Sequence, residues 1–134
     1  MEKTISKAVI LGASGGIGRQ LARELAQRTD QLVLVGRDEA KLTQLQEDLS
    51  GVRAKLSCRV LDLLDAAAVD DFAQQLEADL VINCCGLATF GPALSISEAD
   101  EKALWQVNYQ AAVRLMKQVA DRNHQIRLVQ FSSL

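Results

Sequence analysis

Leu11-Gly12-Ala13-Ser14-Gly15-Gly16-Ile17-Gly18 follows directly on the apolar run Ala8-Val9-Ile10-Leu11 and opens into Ile17, Leu21 and Leu25, which with Ala22 and Ala26 recur at four-residue steps. A short buried strand thus turns through glycines into an amphipathic helix. Gly12 permits the tight turn, Gly16 lets a backbone approach a pyrophosphate, and Gly18 allows the helix to pack closely on the sheet. Ser14, Gly15 and Ile17 complete the loop, whose free amides and positive helix end face bound phosphates. Dinucleotide binding is the expectation; the competing reading is that the glycines merely punctuate a strand-helix turn.

The rest of the chain repeats that alternation. Leu32–Val35, Leu56–Leu61, Leu80–Ile82 and Ile126–Phe131 read as further strands, nearly continuous in hydrophobicity, as parallel strands covered on both faces are. Between them lie helical stripes: Leu42, Leu45 and Leu49; Val69, Phe72, Ala73 and Leu76; and the longest, Leu104, Val107, Ala111, Leu115 and Val119. Asp38, Asp65 and Ser97 suit helix N-caps, Ser97 with Asp100 resembles a capping box, and Gly51 suits a left-handed helix end. Strict alternation calls for right-handed crossovers and a parallel sheet, a Rossmann-type doubly wound α/β fold with five strands in order 3-2-1-4-5. Such sheets bind ligands at the carboxyl ends of their strands, where the strand order reverses.

Composition narrows the partners. The 134 residues are 49% hydrophobic and 24% charged, with 15 Lys+Arg against 17 Asp+Glu, which predicts one globular domain over residues 1–134 with a sizeable core. A net charge of −2 offers no basic field for nucleic acid, and the apolar runs are too short to cross a bilayer. The N-terminus lacks a signal-peptide layout, so a cytoplasmic location with reduced Cys58, Cys84 and Cys85 is expected. Adjacent Cys84 and Cys85 point to opposite faces of a strand and suit small buried positions, not metal ligation. His124, near the end of the long helix, is explained by the helix dipole, and Asp70-Asp71 by a solvated face.

The second strand ends at Val35-Gly36-Arg37, where this fold brings the adenosine ribose. Gly36 has no side chain to accept from the ribose hydroxyls, whereas Arg37 can pair with a 2′-phosphate and stack on adenine, so NADP(H) is expected over NAD(H). The competing reading makes Arg37 a solvated residue before the Asp38 cap.

Taken in order, these residues resemble the short-chain dehydrogenase/reductase family. The spacing Gly12-x-x-x-Gly16-x-Gly18 is similar to the family's cofactor loop, with Leu11 where Thr is usual. Leu61-Asp62-Leu63 resembles the segment whose Asp meets the adenine amino group. Asn83-Cys84-Cys85-Gly86 resembles the family's Asn-Asn-Ala-Gly, with two Cys substitutions. Phe90-Gly91-Pro92 and Trp105-Gln106-Val107-Asn108-Tyr109 resemble the entry to the long helix and its functional Asn, and Leu128-Val129-Gln130-Phe131-Ser132-Ser133 the strand ending in the catalytic Ser.

The resemblance implies cofactor contacts from Gly12, Ser14, Gly15, Gly16, Ile17, Gly18, Arg37, Asp62, Leu63, Asn83 and Gly86. It implies that Ser133 positions a substrate oxygen and stabilises its changing charge, and that Asn108 holds a water in a proton relay. It also implies a Tyr about a dozen residues past Ser133 and a Lys four positions later. The chain ends at Leu134, and its only Tyr, Tyr109, follows the helix Asn. The expectation is therefore a truncated, cofactor-binding part of a carbonyl/alcohol oxidoreductase, not competent alone, since losing a placed acid/base costs roughly 10²-fold to 10⁴-fold in rate. The alternative is a non-catalytic NADP(H)-binding or sensing module acting through a partner. A small carbonyl or alcohol substrate is implied for a full-length form. Leu128, Val129 and Phe131, on an open fifth strand, predict self-association, as does a long helix left uncovered.

Overall fold

The computed structural model describes residues 5–122 and 125–132. Five strands, β1 (Ile5–Leu11), β2 (Thr29–Gly36), β3 (Lys55–Val60), β4 (Leu80–Asn83) and β5 (Arg127–Gln130), form one sheet in the order β3-β2-β1-β4-β5. Every pairing is parallel, with Val9 opposite Val33 on one side and Val81 on the other. Five helices connect them: α1 (Gly16–Ala26), α2 (Glu39–Asp48), α3 (Ala66–Gln75), α4 (Glu98–Trp105) and α5 (Ala111–Arg122).

Alternation along β1 explains the two-layered core. Ala8 and Ile10 point to the face covered by α1 and α2, where Ala22, Ala26, Leu42 and Leu45 meet them. Val9 and Leu11 point to the other face, against Val69, Phe72, Leu115 and Val119 of α3 and α5. Continuous hydrophobicity is needed only in β1, β2 and β4, which have neighbours on both sides. The edge strands depart from the expected pattern: Lys55, Ser57 and Val60 of β3 are exposed, and Arg127 and Val129 of β5 likewise, because an edge needs one covered stripe only.

The expected caps form. Asp38, Asp65 and Ser97 accept from the amides of Lys41, Ala68 and Asp100, respectively. Gly51 has the expected positive φ of +80°, but it lies two residues past the α2 C-cap Leu49, in the turn rather than at the helix end. Asp70 is not simply solvated: it ties α3 to α5 by accepting from Arg114 and Gln118. That pairing holds its carboxyl below the ordinary value.

The long helix is not a single α-helix. A π-helical turn, Gln106–Gln110, joins α4 to α5. Val107, Ala111, Leu115 and Val119 are spaced at four residues, more than the 3.6 of an α-helix, and a wider turn absorbs part of that drift. It also places Asn108 at a break in the regular helical ladder, near the carboxyl ends of the strands.

Candidate functional site

The loop after β1 shows why its glycines are required. Gly12 has φ +76°, and a Cβ there would lie 3.0 Å from the backbone of Cys84 and Cys85. The Gly12 and Ala13 amides both donate to the Val35 carbonyl, which ties the loop to the end of β2. At Gly18 a Cβ would fall 2.0 Å from the Gly12 carbonyl oxygen, so helix and loop touch backbone to backbone. A Cβ on Gly16 would meet nothing within 4 Å, so the space beside it is open.

Helix α1 differs from α2, α3 and α4 at its start. Its N-cap is Gly15, and no side chain caps its first turn. The amides of Gly16, Ile17 and Gly18, the first three of the helix, have no intrahelical acceptors, so they and the helix dipole are presented to an anion.

Two clefts open at the carboxyl ends of the strands. The first, about 340 Å³, is walled by Gly12, Ser14 and Gly15 from the loop, by Gly36, Arg37, Asp38 and Lys41 after β2, and by Leu61–Leu64 after β3. The second, about 450 Å³, is walled by Ile17, Asn108, Gln130, Phe131 and Ser132. Residues 84–87 line both, so the turn after β4 is their common floor. This is where the chain reverses its order across the sheet, between β1 and β4.

Charge in the first cleft is uneven. Two carboxylates lie there with backbone partners: Asp38 accepts from the Lys41 amide at 3.1 Å and Asp62 from the Leu64 amide at 2.9 Å. Arg37 and Lys41 form no ion pair among the described residues. The mouth of the cleft therefore holds two cations free to meet an added anion.

The expected site residues sort by position. Gly12, Ser14, Gly15, Arg37, Asp62, Leu63 and Gly86 line the first cleft, while Ile17, Gly86 and Asn108 line the second. Gly16 opens α1, and Gly18 is buried beneath the loop. Asn83 is not a wall residue: it is 4% exposed, donates to Gln130 Oε1 at 2.9 Å and accepts from the Cys85 amide at 3.0 Å. Asn108 accepts from the Leu87 amide at 2.8 Å and donates to its carbonyl at 2.9 Å, so its side chain anchors the turn after β4. Ser133 and His124 lie outside the described residues.

Lys41 and Gln130 did not stand out in the sequence. Lys41 is four residues beyond Arg37 in the first turn of α2, a spacing that could have linked the two. Gln130 carries no signal, since only the pairing of β4 with β5 brings it to Asn83.

Cys85 packs against the core of one face and Cys84 against that of the other, as adjacent strand-end residues should. Burial pushes the Cys85 thiol up to about 11, with Cys84 adding to the rise and Arg37 opposing it. An unfolded chain ionises this thiol near 9.0, so the folded state alone keeps the proton between the two values. Stability from this group is complete below pH 9 and falls as the pH climbs toward 11. Denaturant midpoints measured from pH 8 to 11 should decline, and Cys85→Ala should flatten that decline.

Residues 6–134 match the family model described as short chain dehydrogenase. The chain is 31% identical over 140 residues to Dehydrogenase/reductase SDR family member 7B of Bos taurus, which covers 94% of this chain and 43% of that protein. Among solved structures it resembles the bulky-bulky ketone specific alcohol dehydrogenase from Comamonas testosteroni, with a TM-score of 0.90 at 26% identity, covering 98% of this chain and 56% of that one. It also resembles a short-chain dehydrogenase from Sphingobium yanoikuyae in complex with NADPH, with a TM-score of 0.88 at 28% identity, covering 96% of this chain and 54% of that one. The chain thus spans about half the length of the proteins it matches.

Proposed function

The chain belongs to the short-chain dehydrogenase family, and from that premise we propose that it forms the NADP(H)-binding part of an oxidoreductase that interconverts a carbonyl and an alcohol. The observation that carries the reading is the uncapped start of α1, held against Gly12 by Gly18 and opening on a cleft with two cations that have no ion-pair partner among the described residues. The α1 amides with Ser14 and Gly15 bind the diphosphate, Asp62 and Leu63 meet adenine, and Arg37 with Lys41 holds the 2′-phosphate. Ile17 and Gly86 border the nicotinamide half, which Asn108 supports through Leu87. The bound nicotinamide supplies hydride transfer. Ser133 is assigned to position the substrate oxygen.

The structure of a relative with NADPH bound supports this choice of cofactor. Fluorescence titration of the 134-residue chain with NADPH and NADH tests it. NADPH should bind at least about tenfold more tightly, equivalent to roughly 1.4 kcal/mol. Equal or tighter NADH binding overturns the preference, and no saturable binding of either overturns the function. With no Tyr-x-x-x-Lys among the 134 residues, the chain alone should not turn over simple ketones at an ordinary enzymatic rate; such turnover would overturn the claim that these residues lack the acid/base group.

The proposal extends to self-association. Among the described residues β5 pairs on one side only, with Val129 43% exposed and Phe131, just past the strand, 39% exposed, although Leu128 packs into the core and does not contribute as expected. Exposed apolar residues on an unpaired edge favour pairing with a second copy. Light scattering should show a mass that rises with concentration, falling back to monomer in Val129→Lys; a wild-type monomer at every concentration would count against it. Among the described residues no helix is long and apolar enough to cross a membrane. A cytosolic location, where Cys58, Cys84 and Cys85 would stay reduced, belongs to the same proposal, and recovery in an exported or membrane fraction would overturn it.

A further inference from the structure

We propose that Gln130 is a positioning residue for the nicotinamide half of the cofactor, fixing the end of β5 against the turn after β4 and so setting the width of the second cleft. The inference rests on the dinucleotide-binding reading above. Ladder bonding between β4 and β5 reaches its carboxyl end with the Phe131 amide donating to the Asn83 carbonyl at 3.0 Å. There side chains take over. Gln130 Oε1 accepts from Asn83 Nδ2 at 2.9 Å, while Gln130 Nε2 donates to the Phe131 carbonyl at 2.9 Å. Asn83 Oδ1 in turn accepts from the Cys85 amide at 3.0 Å.

One continuous hydrogen-bonded path thus runs from the Phe131 carbonyl to the backbone of Cys85. Both ends of the path line the second cleft, Phe131 with Ser132 at one end and the turn of residues 84–87 at the other. Neither Gln130 nor Phe131 nor Ser132 lines the first cleft. The amide suits the task because it offers a donor and an acceptor at once; a carboxylate would repel the Phe131 carbonyl, and an apolar side chain would leave the buried Asn83 Nδ2 without its partner.

Binding of NADPH and of 2′,5′-ADP, which carries the adenosine half alone, separates the possibilities. Gln130→Leu should weaken NADPH binding about tenfold, the cost of one or two net hydrogen bonds, and leave 2′,5′-ADP binding nearly unchanged. Gln130→Glu, which keeps the acceptor for Asn83 but loses the donor to Phe131, should fall between wild type and Gln130→Leu, and it carries the test if Gln130→Leu does not fold. Unchanged NADPH affinity in the variants, or an equal loss for both ligands, overturns the proposal, the latter because it marks a merely structural role. Failure of the wild-type chain to bind either ligand overturns the dinucleotide-binding reading itself, and this inference with it.

Discussion

Gly18→Ala will remove most dinucleotide binding and lower the unfolding midpoint. The added Cβ would lie 2.0 Å from the Gly12 carbonyl oxygen and 2.8 Å from its carbonyl carbon. Both atoms are backbone, and the loop that carries them is held by the Gly12 and Ala13 amides on Val35, so no flexible side chain can swing away. Relief requires α1 to lift from the loop, at the roughly 1–3 kcal/mol typical of an overpacked site. The same movement carries the first-turn amides away from the position of the diphosphate. Losing two charge-assisted hydrogen bonds of about 1.5–3 kcal/mol each weakens binding by about 100-fold or more. Calorimetric titration with NADPH and a urea melt measure the two effects. Gly16→Ala serves as a contrast: nothing lies within 4 Å of its added Cβ, so stability should hold while binding falls. Wild-type affinity in Gly18→Ala would refute the account of the loop.

If the proposed NADP(H) preference rests on Arg37, Arg37→Glu will reverse it. Among the described residues Arg37 and Lys41 stand in the cleft without ion-pair partners, beside a Gly36 that offers no acceptor to a ribose hydroxyl. A glutamate at position 37 removes a charge-assisted contact with a 2′-phosphate and puts a like charge beside it, which should cost NADPH about 100-fold. The same carboxylate can accept from the free 2′-hydroxyl of NADH, so NADH binding should hold or improve. Lys41→Ala should weaken NADPH by less, about three- to tenfold, because an ammonium acts as a point charge without the bidentate fork of arginine. Parallel titrations with both dinucleotides read the ratio directly; a variant that still prefers NADPH would show that the preference lies elsewhere.

These expectations draw on unequal sources. Gly12, Gly16 and Gly18 were legible because a glycine's meaning is local: the next strand and helix follow within a few residues, and the backbone requirement shows in the residue type. The place of Arg37 beside the first cleft was legible because the end of the second strand is a fixed address in an alternating chain. Lys41 and Gln130 were not. Lys41 stands four residues past Arg37, but only the cleft shows that both face the same space, and Gln130 meets its partner Asn83 only across the sheet. Asn108 falls between the two. Its place was recognisable, but its commitment to both backbone groups of Leu87, from a π-helical turn, depends on the packing of α4 and α5.

The sequence by itself determined the order of the elements, the strand order 3-2-1-4-5, the three N-caps and the glycine loop, because periodicity, capping and turn chemistry act over a few residues. Tertiary structure alone decided which polar side chains are walls and which are struts. Asn83 and Gln130 bond to each other only once β4 and β5 lie side by side, and Asp70 meets Arg114 only once α3 packs on α5. Buried polar groups must find partners wherever the packed chain supplies them, and that supply exists only after long-range contacts have formed.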